Sequence, residues 1–156
     1  MRTLLLVLAL LLPALPAAAA PRVLEGPAIV RSDGSLHVDG EIVRLHGIYL
    51  PRIMRTCSTL LDPTFCAPAA VVVLYEKIRG FVVCQEVQRL ADGSISAWCG
   101  LRGDRLFDPR EDLGAMLIEE GFALAAPDAP AEYRLLERLA ESREVGLWGD
   151  KMLRVR

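Results

Sequence analysis

Two closely spaced Asp-Gly pairs, Asp33-Gly34 and Asp39-Gly40, set the pattern of the stretch Ser32–Pro51. They separate short apolar runs: Ala28-Ile29-Val30, then Leu36-His37-Val38, then Ile42-Val43-Arg44-Leu45. Glycine takes positive φ without steric cost and aspartate tolerates it, so Asp-Gly closes tight hairpins. The pattern predicts a three-strand meander over Pro27–Pro51. Pro21–Gly26 reads as an unstructured approach to it.

An irregular stretch runs from Pro51-Arg52 to Pro68, with Pro63 as a breaker. A helix is predicted over Ala67–Arg79. Pro68 fits its first turn and Gly80 its stop, although Val71-Val72-Val73 favours strand. Two strand-like runs, Phe81–Arg89 and Ser94–Leu101, then flank the turn Leu90-Ala91-Asp92-Gly93. Arg102–Pro109 reads as a loop. Asp108 or Asp112 can cap a helix over Arg110–Glu120, with Leu113, Met116 and Leu117 on one face and Gly121 at its end. Phe122–Ala126 is a short apolar piece and Pro127–Pro130 a turn. A last helix is predicted over Ala131–Val145, with Tyr133, Leu135, Leu136 and Leu139 as its apolar side and Gly146 at its C-terminal cap. After the leader the sequence shows no internal repeat.

Residues 1–19 read as a signal peptide. Arg2 is the charged start, Leu4–Leu12 the apolar core, and Ala17-Ala18-Ala19 a cleavage signal. The apolar run is shorter than the roughly 20 residues a spanning helix needs. No cysteine follows it, which argues against a lipoprotein. Residues 20–156 then form one domain in an exported, periplasmic or extracellular protein. Removing Arg2 leaves 17 of the 18 Lys+Arg against 20 Asp+Glu, a net charge of −3. Phosphate binding normally shows as a basic patch, so this balance disfavours nucleic acid as a partner.

All four cysteines, Cys57, Cys66, Cys84 and Cys99, follow the leader, and an even number in an exported chain favours disulfides. Three connectivities are formally open. Pairing Arg89 with Ser94 across the hairpin sets Cys84 opposite Cys99, within reach of an S–S bond. Cys57–Cys66 would close a short loop. Zinc is the rival, but no C-x-x-C pair exists and neither His37 nor His46 is placed as a fellow ligand.

The run Val43-Arg44-Leu45-x-Gly47-Ile48-x-x-Pro51 after an Asp-Gly turn resembles the thermonuclease (staphylococcal-nuclease-like) family. So do Asp112-Leu113-x-x-Met116-Leu117-x-x-x-Gly121-Phe122-Ala123 and Glu141-x-x-x-x-Gly146-Leu147-Trp148. The resemblance covers most of the chain after the leader. It implies an α+β fold: a five-stranded barrel of oligonucleotide-binding (OB) type with about three helices, and Trp148 packed on the helices. Family members hydrolyse phosphodiesters with calcium, two arginines and a glutamate.

Carried over residue by residue, the first family arginine is Arg44. The calcium carboxylates fall on Ser35 and Tyr49, neither a good ligand for a hard cation. The glutamate falls on Arg52, which reverses the charge expected of a base. The second arginine falls near Ser94. The resemblance with these departures implies a non-catalytic binding or structural module with no cofactor, whose partner is a protein or ligand. The alternative is a calcium-dependent nuclease whose site is rebuilt around Asp33, Asp39 or Glu41. Other residues have ordinary explanations. Asp33 and Asp39 serve turns, and Arg44 can pair with Glu41. His37 and His46 sit on strands, and Trp98 either packs or stacks a base. Gly47 and Gly121 read as backbone requirements rather than ligand contacts.

Overall fold

The computed structural model describes residues 21–51, 69–101 and 112–149. The first strand, β1 (Val23–Pro27), buries Leu24 and Gly26 and exposes Val23, Glu25 and Pro27. The expected unstructured approach is therefore a strand. Gly26 and Pro27 hide its period-two pattern, and burying a leucine such as Leu24 contributes about 1.5–3 kcal/mol. Leu24 lies opposite Cys84 of β6 (Phe81–Arg89).

One residue, Ala28, separates β1 from β2 (Ile29–Val30), which pairs instead with β3 (Leu36–Val38). β4 (Glu41–Leu45) follows β3 through the turn Asp39-Gly40, where both residues have positive φ, 50° and 78°, as a hairpin of this kind requires. β4 then runs parallel to β7 (Ile95–Leu101), itself antiparallel to β6. The sheet order is β1-β6-β7-β4-β3-β2. Because β1 and β2 are consecutive, the two ends of the sheet adjoin, and it becomes a nearly closed, mixed barrel. Counted with β1 and β2 as one bent strand, this is compatible with the expected five-stranded OB-type barrel. Gly47, at φ 73°, ends β4, so β5 (Ile48–Tyr49) leaves the barrel and pairs with β8 (Leu124–Ala125).

Among the described residues three α-helices complete the architecture. α1 (Ala69–Lys77) buries Ala70, Val71 and Leu74; burial overrides the strand preference of its valines. α2 (Leu113–Glu119) starts later than expected. Asp112 is its N-cap, accepting from the amides of Gly114 at 2.8 Å and Ala115 at 3.1 Å, while Asp108 lies outside the described residues. Gly121, at φ 75°, ends this segment as expected.

α3 (Ala131–Ser142) is shorter than expected, and Glu144 rather than Gly146 takes the left-handed position after it, at φ 52°. Gly146 instead lies against Gly121. Leu147 N donates to Gly121 O at 2.8 Å, and a Cβ on Gly146 would stand 2.6 Å from the Gly121 carbonyl carbon. The inward stripe of α3 is Tyr133, Leu136 and Ala140, not the expected leucine side; Leu135 and Leu139 face outward. The Tyr133–Asp112 hydrogen bond described below fixes this rotation. Trp148 is half-buried in the short 3-10 turn Gly146–Trp148, which adjoins α3.

The core joins barrel and helices through Leu36, Val43, Ile95, Leu74, Leu113 and Leu117. Cys84 and Cys99 are directly opposite, buried and disulfide-bonded. The expected Arg89–Ser94 register does not hold at the turn end. A bulge at Val87 advances the pairing by one residue, so Arg89 faces Ile95. The bulge lies beyond the cysteines and leaves their pairing intact. Cys57 and Cys66 lie outside the described residues. The disulfide fits an oxidising, exported location. Among the described residues no helix is long and apolar enough to cross a membrane.

Candidate functional site

Alternation along β4 buries Val43 and Leu45 and sends Arg44 to the outer face of the barrel. On neighbouring β7 the core takes Ile95, Ala97 and Cys99, and Ser96 between them is buried as well, at 7% exposure. By alternation Ser96, the register partner of Arg44, and Trp98 share the outer face with Arg44. The rim of this face is formed by two turns, one before β3 and one before β7, and they are copies of each other.

The tripeptide Asp-Gly-Ser occurs at 33–35 and again at 92–94. In each copy Asp Oδ1 accepts from the serine amide at 3.0 Å and from the serine hydroxyl at 2.6 Å. The glycines have φ 81° and 83°. Arg31 N donates to Ser35 O and Leu90 N to Ser94 O, both at 2.8 Å. Gly34 N donates to Arg31 O and Gly93 N to Leu90 O, both at 3.0 Å. Aspartate side chains that bond the amide two residues on make such turns self-supporting.

Arg44 joins the two copies. Its Nε donates to Ser94 Oγ at 3.2 Å, its Nη2 to Asp92 Oδ2 at 3.2 Å, and its Nη1 stands 3.6 Å from Asp33 Oδ2. Partial burial pushes the Asp33 carboxyl up, but the Ser35 hydroxyl and amide, with the Arg44 and Arg31 charges, outweigh it and hold it below the usual range. Asp92 is held low by the Ser94 hydroxyl and amide, then by Arg44.

The expected Arg44–Glu41 pair does not form. Glu41 receives Arg22 at 3.0 Å and Arg89 at 3.2 Å instead, and these contacts hold its carboxyl low, Arg89 foremost. Arg44 thus ties together two turns that lie far apart in sequence. Its charge faces two carboxylates and its Nε–H is given to a buried serine.

Of the other expected positions, Ser35 and Ser94 sit in the two turns that Arg44 joins, while Tyr49 and Asp39 lie on other elements. Ser35 is buried at 2% exposure with its hydroxyl donated to Asp33. Tyr49 is exposed on β5, Asp39 is exposed in its turn, and Arg52 lies outside the described residues. Ser94, where a second arginine was expected, is a buried partner of Arg44. His37 lies on β3 opposite Ile42, two residues after the first Asp-Gly-Ser turn, and is only half-buried. Among the described residues no group of three or more His, Cys, Asp or Glu is placed to hold a metal ion.

A second cluster adjoins the face. His46 Nδ1 and Ser96 Oγ are hydrogen-bonded at 2.9 Å. Trp98 meets His46 edge-on at 4.6 Å and Tyr133 at 5.5 Å. Tyr133 donates to the Asp112 carboxylate, 2.8 Å from both oxygens. Burial, then the Asp112 charge and hydrogen bond, push the Tyr133 phenol far up. A Cβ on Gly47 would meet Trp98 at 3.3 Å and Tyr133 at 3.5 Å, so the missing side chain admits both rings. Trp98 is therefore wedged between neighbours, which is packing rather than an open stacking platform.

Sequence reasoning weighed Asp33, Asp39 and Glu41 as carboxylates near Arg44 and missed Asp92. The repeated Asp-Gly-Ser tripeptide was the available signal. Nothing in the sequence marked the Tyr133–Asp112 bond, which spans two helices. Set against models of known protein families and against curated proteins, the chain matches none.

Proposed function

We propose that the chain is an exported thermonuclease-like domain that does not hydrolyse phosphodiesters and serves as a binding or structural module. One observation carries this reading: the Arg44 guanidinium is held by Asp92, Asp33 and Ser94 of its own chain. Family chemistry needs that guanidinium turned to a phosphate as negative charge develops. Here a phosphate would have to displace two carboxylates.

The donor set also fails to fit the family's calcium. Ca²⁺ takes about 6–8 oxygen ligands, several of them carboxylates. Ser35 supplies a buried hydroxyl already donated to Asp33, Tyr49 supplies a phenol, and Arg44 lies between the two nearby carboxylates. No step is therefore assigned to a metal. Arg44 holds the rim turns at fixed spacing, and the module's binding chemistry is not that of a phosphodiesterase.

The test is cleavage of single- and double-stranded DNA and RNA in millimolar calcium, magnesium or manganese. The expected result is no cleavage above background, with or without metal. Loss of one electrostatic or proton-transfer contributor alone costs about 10²- to 10⁴-fold. Robust cleavage that disappears in Arg44→Ala would show a nuclease with a site rebuilt around Asp33 and Asp92, and would overturn the reading.

A further inference from the structure

The chain contains no asparagine and has three Asp-Gly pairs, Asp33-Gly34, Asp39-Gly40 and Asp92-Gly93. An aspartate side chain can close on the amide that follows it, and glycine leaves that amide unhindered. The glycine nitrogen attacks Cγ, an N–C bond forms, a C–O bond breaks and water leaves. The product is a five-membered succinimide. Water then adds to either ring carbonyl. Addition at Cγ restores aspartate. Addition at the main-chain carbonyl gives isoaspartate, with the chain running through the former side chain. The balance needs only water.

The fold treats the three pairs differently. At Asp33 and Asp92 both reacting groups are occupied. Oδ1 accepts from the serine amide and hydroxyl, and the glycine amide donates to Arg31 O or Leu90 O. Arg44 reaches Oδ2 of both carboxylates. At Asp39-Gly40 neither group is occupied. Among the described residues the exposed Asp39 side chain makes no hydrogen bond or ion pair, and the Gly40 amide donates to no backbone acceptor. A Cβ on Gly40 would meet nothing within 4 Å.

Backbone geometry separates them further. Closing the ring eclipses Cβ with the next nitrogen, which for an L residue sets ψ at about −120°, the value at the first central residue of a type II′ turn. Asp39 already has the positive φ that this position requires, 50°. Type I′ and type II′ turns both serve two-residue hairpins, and glycine accepts the φ of either. The Asp39–Gly40 peptide can therefore turn over, and the ring close, with the Val38–Glu41 pair in place. Neither Asp33 nor Asp92 has positive φ, so closure there would break the turn. We propose that Asp39 is the site at which this folded chain converts spontaneously to isoaspartate, through a succinimide with Gly40, and that the two Asp-Gly-Ser turns protect Asp33 and Asp92. The inference is independent of whether the outer face of β4 cleaves or binds anything.

The test is incubation of the chain from Ala20 onward, which contains every described residue, at mildly acidic pH, folded and in guanidinium. Sampling continues until the denatured chain shows isoaspartate at all three positions. After reduction, trypsin releases Ser32–Arg44, which carries Asp33 and Asp39, and Leu90–Arg102, which carries Asp92. Electron-transfer fragmentation locates isoaspartate within each peptide. In the folded protein Asp39 should isomerise at least about tenfold faster than Asp33 or Asp92, because several hydrogen bonds must break at the latter two. In guanidinium the three rates should converge. A folded protein in which Asp39 is as slow as Asp33 and Asp92 overturns the proposal. So does a preference for Asp39 that persists unchanged in guanidinium, since sequence and not the fold would then set it.

Discussion

The two clusters beside β7 use similar numbers of polar groups to opposite ends. Around Arg44 the charges are half exposed: side chains of Arg44, Asp33 and Asp92 retain 44%, 46% and 54% of their accessibility. Around Tyr133 the phenol is 3% exposed and a single carboxylate caps a helix, holds the phenol and fixes how α3 sits. Water screens the first set, so it positions two turns at little gain in stability. It hardly reaches the second, where a lost partner leaves a buried polar group unsatisfied. Order near the barrel rim and stability of the fold are thus carried by different residues.

The comparison breaks most visibly at Gly47, which serves the buried cluster. Gly47→Val places a β-branched residue at φ 73° against Trp98 and Tyr133. Strain and overpacking together should cost about 2–4 kcal/mol, read as a lower urea midpoint. Gly121→Val, at φ 75° against the backbone of Val145 and Gly146, should fall in the same range. An unchanged melting temperature in both would refute the backbone role of these glycines.

Tyr133→Phe isolates the buried hydrogen bond and should cost about 1–3 kcal/mol. It also has a pH signature. The Tyr133 phenol is raised above its ordinary value of 10.0, so its contribution is complete below that pH and is lost as pH rises through it and beyond. The native protein should weaken in strong alkali, and Tyr133→Phe should lose part of that sensitivity. A wild-type phenol that ionises near pH 10 without unfolding would contradict the buried geometry.

Arg44→Ala should cost less, about 1 kcal/mol or below, because its ion pairs are exposed. A loss as large as that of Tyr133→Phe would erase the contrast between the clusters. The smallest effect is in acid. Asp33 and Asp92 are both held below the ordinary 3.8, so their contribution is present above that value and lost as pH falls below it. Asp33→Asn/Asp92→Asn should flatten the acid limb of a stability–pH curve slightly. An unchanged limb would mean that the two carboxylates are not held in the folded state.

Local signals in the sequence carried much of the fold. The Asp-Gly turns and the Cys84–Cys99 pairing follow from residues near one another in the chain. β1 was not legible, because Gly26 and Pro27 read as breakers while the strand depends on β6, remote in sequence. The rotation of α3 was not legible either. Leucines at 135, 136 and 139 offer more than one apolar face, and a tyrosine bonding to a different helix chose between them. At the candidate site the sequence singled out Arg44 as the match to the first family arginine, and the structure sends it to the outer face of the barrel. Its partners were not, since Asp92 and Ser94 reach it only through the parallel β4–β7 pairing.

The central claim is that the Arg44 guanidinium belongs to its own chain, and NMR of its Nε–H group during a titration with inorganic phosphate tests it most directly. At neutral pH the expected result is a resolved Nε–H signal, protected from exchange and unmoved by millimolar phosphate. Asp33→Asn/Asp92→Asn should lose part of the protection while Ser94 remains. A wild-type signal that shifts and saturates with millimolar phosphate would show that the carboxylates yield to the anion, and would contradict the claim.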